Sequence, residues 1–81
     1  MLTDYLDAAM EQASYEKIEG DQPYYGEIQG FRGLWAAGST LEECRRNLRG
    51  ALEDWVFFSI ARGMELPPAG ELVLELPRKL A

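Results

Sequence analysis

The sequence predicts an α+β domain of element order α-β-β-β-α-β, in which a three-stranded antiparallel meander packs on one long helix. Three observations predict it. Apolar residues recur at helical spacing near the N-terminus and again, over a longer stretch, after Gly38. Between these helices lie three short runs rich in strand formers. The turns joining those runs are too short for parallel crossovers, so neighbouring strands run antiparallel. The 81 residues make one domain, 1–81.

The first helix is read over 2–13. Leu2, Leu6, Ala9, Met10 and Ala13 fall at helical spacing with Tyr5 beside them, and Asp4 and Asp7 suit the positive end of the helix dipole. The first strand is read over 14–19, where Tyr15 and Ile18 are good strand formers, and the turn Gly20-Asp21-Gln22-Pro23 follows. The second strand covers 24–29. Its alternation sends Tyr24, Gly26 and Ile28 one way and Tyr25, Glu27 and Gln29 the other. Gly30-Phe31-Arg32-Gly33 forms the next turn, and Leu34–Ala37 the third strand.

The strongest local signal starts at Gly38. Ser39 with Glu42, or Thr40 with Glu43, makes a capping box, so a helix starts there and runs to Arg62. Gly63 supplies its left-handed end, and Pro67-Pro68 forbids continuation. On this helix Leu41, Cys44, Leu48, Ala51, Leu52, Trp55, Val56 and Ser59 share one broad face, which covers the sheet; Phe58 and Ile60 flank it. Cys44 lies mid-face and reads as a small buried hydrophobe. Phe57 falls on the opposite side with the small residues Gly50 and Ala61, a pattern suited to close approach by a second helix. Glu71–Leu76 alternates again as a terminal strand, with Leu72, Leu74 and Leu76 on one side. It pairs either with the meander of its own chain or with a neighbour's.

Composition narrows the function. Fourteen acidic against eight basic residues give a net charge of -6, which repels nucleic-acid phosphates and attracts basic proteins. The chain has no histidine and a single cysteine, which removes disulfides, the usual zinc sites and the commonest general base. No glycine-rich phosphate cradle follows a strand. Glu27, Glu42, Glu43, Glu53 and Asp54 raise the question of a carboxylate metal site, but helix capping explains Glu42 and Glu43, and Glu53 and Asp54 lie toward solvent. No cofactor is expected. With no basic leader and no apolar run near the roughly 20 residues of a membrane span, the chain reads as cytoplasmic. A chain this short buries only about 60% of its unfolded surface, which favours borrowing burial from a partner.

From Tyr15 to Pro67 the chain resembles the HicB-like antitoxins of HicA–HicB toxin–antitoxin modules. The matching pieces are Tyr24-Tyr25-Gly26-Glu27-Ile28, the turn Gly30-Phe31-Arg32-Gly33, the helix start Gly38-Ser39-Thr40-Leu41-Glu42-Glu43-Cys44, the helix body at Asn47-Leu48, Ala51-Leu52 and Trp55, and the closing Gly63-Met64-Glu65-Leu66-Pro67. Their order and spacing carry the resemblance, which covers about two-thirds of the chain. It implies a partial RNase H-like fold without working catalytic carboxylates, hence inhibition by binding rather than an enzyme. The implied partner is a HicA-like toxin, a small basic RNA-cleaving protein. Many such antitoxins carry a C-terminal DNA-binding unit. Only residues 69–81 follow Pro68, so DNA binding is not expected here. The N-terminal helix is an addition to the common arrangement, and Arg32 replaces the usual Pro of the turn.

Two surfaces are expected to bind. Partner contacts are assigned to Tyr25, Glu27 and Gln29 on the exposed sheet face, with Trp35 nearby. Self-association into a dimer or tetramer is assigned to Gly50, Phe57 and Ala61 on the long helix and to Leu72 and Leu74 on the terminal strand. The alternatives to an antitoxin are a homo-oligomeric structural module with no toxin partner and, further off, a metal-dependent nuclease.

Overall fold

The computed structural model describes residues 2–69. Its elements are α1 (Leu2–Glu11), β1 (Ala13–Lys17), β2 (Tyr24–Ile28), β3 (Trp35–Gly38) and α2 (Leu41–Ala61). The α+β class and the order α-β-β-β-α agree with the sequence reading. The expected terminal strand, with Leu72 and Leu74, lies outside the described residues.

The sheet is an antiparallel meander of order β1-β2-β3. Tyr15 lies opposite Gly26 in one pairing, and Gly26 opposite Ala36 in the other. Along β2 the predicted alternation holds: Gly26 and Ile28 are buried while Glu27 is exposed. α2 packs across β2 and β3, and α1 packs on α2. Leu48, Leu52, Val56 and Cys44 are fully or nearly fully buried between helix and sheet, as expected from their shared face. Each such aliphatic side chain contributes about 1.5–3 kcal/mol of burial.

Several boundaries move. α1 stops at Glu11 rather than Ala13, because Ala13 already pairs with Ile28. β1 ends at Lys17, not Glu19; Ile18 is exposed, and its N–H is taken by the carbonyl of Pro23 at 2.6 Å, closing the turn. β3 begins at Trp35 rather than Leu34. Leu34 is instead buried in the preceding turn, its N–H bonded to Phe31 O. Leu41, placed on the covered face of α2 by its spacing, is 49% exposed. It occupies the first position of α2.

The ends of α2 explain its length. Thr40 is the N-cap, and its Oγ1 accepts the Glu43 N–H at 3.0 Å. Glu43 reaches back one residue further than a standard capping box, accepting the N–H of Ser39 at 2.6 Å. That backbone bond holds the Glu43 carboxyl below the usual carboxylate range. At the other end Gly63 adopts φ +70°, its N–H bonds Ile60 O, and the Met64 N–H returns to Ser59 O at 2.9 Å. This is a Schellman ending, and the left-handed position costs glycine nothing.

Gly38 has a second role. A Cβ there would lie 2.5 Å from Cys44 N and 2.8 Å from Cys44 Cα. β3 and the first turn of α2 touch backbone to backbone, and only a glycine permits that approach.

Candidate functional site

Among the described residues, α2 lies on one side of the meander and the other face is left open. It is built from Ser14 and Glu16 on β1, Tyr25 and Glu27 on β2, and Trp35 and Ala37 on β3. The register arranges them in two cross-strand rows. Ser14, Glu27 and Trp35 form one; Glu16, Tyr25 and Ala37 form the other. Neither row contains a lysine or arginine.

The centre of this face is aromatic. The rings of Tyr25 and Trp35 stack with centroids 5.8 Å apart and planes 19° from parallel. Trp35 remains 56% exposed. The Tyr25 hydroxyl donates to Glu27 Oε1 at 3.1 Å. Desolvation, that hydrogen bond and the charges of Glu27 and Glu16 together raise the Tyr25 phenol above its ordinary range, so it stays a donor. The result is a flat apolar shelf edged by carboxylates. Gln29 lies just beyond the end of β2 and is exposed; it borders the shelf without belonging to the strand. Three of the four residues expected to bind a partner (Tyr25, Glu27 and Trp35) are thus brought together, and Gln29 lies at their margin. Periodicity misses Glu16, which faces Tyr25 only because of the register between β1 and β2.

The second expected surface is also open within the described residues. Gly50, Phe57 and Ala61 are exposed along one side of α2, and Phe57 is 76% exposed. No atom lies within 4 Å of where a Cβ on Gly50 would be. The neighbouring Phe58 is covered on one side by the Arg62 guanidinium, 4.6 Å from its ring centroid.

Other polar groups hold the fold. Arg49 bridges the helices, meeting Asp7 at 2.8 Å and Glu53 at 3.2 Å. Cys44 is buried, its Sγ 3.6 Å from Ala36 O, and burial pushes its thiol up, away from the reactive thiolate. Phe31, read from sequence as a turn residue, folds inward between Tyr5 and Trp55, with ring centroids at 6.2 and 5.1 Å. The Trp55 indole N–H donates to Arg32 O at 3.1 Å, fixing the β2–β3 turn against α2. Among the described residues no three acidic or cysteine side chains are grouped to hold a metal ion. Nor is any helix among them long and apolar enough to cross a membrane.

A family model described as UPF0150-like matches residues 4–67. The crystal structure of TTHA0281 from Thermus thermophilus superposes with a TM-score of 0.91 at 52% sequence identity, covering 95% of each chain. No curated protein matches.

Proposed function

Since the chain belongs to the UPF0150-like family, we propose that it is a protein-binding module of the HicB antitoxin type, which neutralises a small basic RNA-cleaving toxin of the HicA type by covering it. The observation that carries this reading is the open sheet face: a stacked tyrosine–tryptophan pair edged by Glu16 and Glu27, with no basic side chain in either row, on a chain of net charge -6. Aromatic anchors give contact area at low entropic cost, and the surrounding negative potential steers a basic partner into place. The chain itself performs no reaction in this scheme. It has no histidine, and its buried thiol is held protonated.

The test is co-expression with the product of an adjacent small basic reading frame. A stable complex, and rescue of growth from that protein's toxicity, are expected. Absence of both would overturn the reading. A homo-oligomeric module without a toxin is the second reading, favoured by the bare Phe57 ring and the open space over Gly50. Light scattering that finds a monomer at all accessible concentrations would remove it.

A further inference from the structure

We propose that the Tyr25–Trp35 shelf is a seat for an arginine side chain of the bound protein, with Glu27 and Glu16 meeting its guanidinium. This rests on the protein-binding reading above and adds the chemistry of the contact. A guanidinium is planar and weakly hydrated. It stacks on aromatic faces while its edge N–H groups reach carboxylates. The shelf offers both. Trp35 is 56% exposed and stacked at 5.8 Å on Tyr25. Glu27 lies directly across from Trp35, and Glu16 directly across from Tyr25. Residues so paired have Cβ atoms about 5 Å apart, within the span of one arginine head group. The hydrogen bond from Tyr25 to Glu27 Oε1 holds that carboxylate beside the rings instead of in bulk water.

Nothing in the two rows neutralises these charges. Lys17, on β1, is engaged over the Tyr24 ring at 5.6 Å. Other occupants fit less well. A nucleobase would stack, but its phosphates would meet two carboxylates and a chain of net charge -6. A lysine is a strongly hydrated point charge and gains less from the rings. A second copy docking by the same face would oppose like charges.

The test is an NMR titration of the full chain with acetyl-Gly-Arg-Gly-Arg-Gly-amide, its lysine counterpart and a decauridine oligomer. The arginine peptide is expected to shift the Trp35 indole N–H and the amides of Glu16, Tyr25 and Glu27, and to bind about three- to fivefold tighter than the lysine peptide. The Trp55 indole should stay in place. Trp35→Ala and Glu27→Gln should each weaken binding about three- to fivefold; both positions face solvent, so the fold survives. Equal affinity for the two peptides, shifts centred elsewhere, or a stronger response to decauridine would each overturn the seat. Loss of the arginine preference alongside an intact toxin complex would sink the seat and leave the partner reading standing. An arginine preference with no toxin complex would do the reverse.

Discussion

Three glycines that look alike in the sequence should respond to alanine in three different ways, and Gly38 decides the argument. Its added Cβ would lie 2.5 Å from Cys44 N, where ordinary contact begins at 3.4 Å, so the first turn of α2 must withdraw by about 0.9 Å. The obstructing atoms are backbone and cannot rotate away. Overpacking of this kind costs about 1–3 kcal/mol. The loss of unfolded-state freedom returns about 0.4–1 kcal/mol, leaving a net destabilisation of about 1.3 kcal/mol. At Gly26 the nearest obstruction is the Tyr15 ring at 2.8 Å, a side chain on the edge strand that can swing, with the buried Cys44 Sγ next at 3.3 Å; the net cost there is about 0.5–1 kcal/mol. At Gly50 no atom of the described residues lies within 4 Å, so alanine should stabilise by about 1 kcal/mol through helix propensity alone. Urea unfolding followed by tryptophan fluorescence, at one protein concentration, measures all three. With a urea slope of about 1–2 kcal/mol per molar, Gly38→Ala should lower the midpoint by about 0.7–1.3 M. A Gly38→Ala midpoint within about 0.3 M of the parent would refute the backbone contact between β3 and α2.

Thr40→Ala should cost about 1 kcal/mol in the same assay, since the Glu43 N–H loses its side-chain acceptor. Tyr5 is buried, donates to the Pro67 carbonyl, and has its phenol pushed up by burial to about 12 from an ordinary value of 10.0. The raised group gives its full stabilisation below pH 10.0 and loses it as pH climbs toward 12. Tyr5→Phe should therefore flatten part of the alkaline fall in thermal stability, and an unchanged pH profile would contradict the assignment. Phe57→Asp should shift any oligomer toward monomer in light scattering while leaving the circular dichroism of the monomer intact. Retention of the parent's oligomer would exclude that face of α2 as the contact.

Much of the candidate site was legible before the structure. Alternation along β2 separated Tyr25 and Glu27 from Gly26 and Ile28, because the strand period acts within a few residues. The partnership with Trp35 was seen only as proximity. The stacking, and the place of Glu16, depend on how far β1 and β3 slide along β2, and no local pattern encodes that register. Phe31 was missed as a core residue because a turn composition says nothing about which of its side chains fold inward, and Leu34, read as the first residue of the third strand, is buried from the turn instead.

By itself, the sequence determined the order of the described elements and the span of α2: its helical spacing, a hydroxyl cap at Ser39 or Thr40, the left-handed stop at Gly63 and the period-two strands are all enforced by neighbours in the chain. Only the tertiary structure decided which sheet face α2 covers, why Gly38 must lack a side chain and why Leu41 stays in water. Those outcomes follow from contacts between elements, where the area available to bury and the closest permitted approach of two backbones override what any one segment prefers.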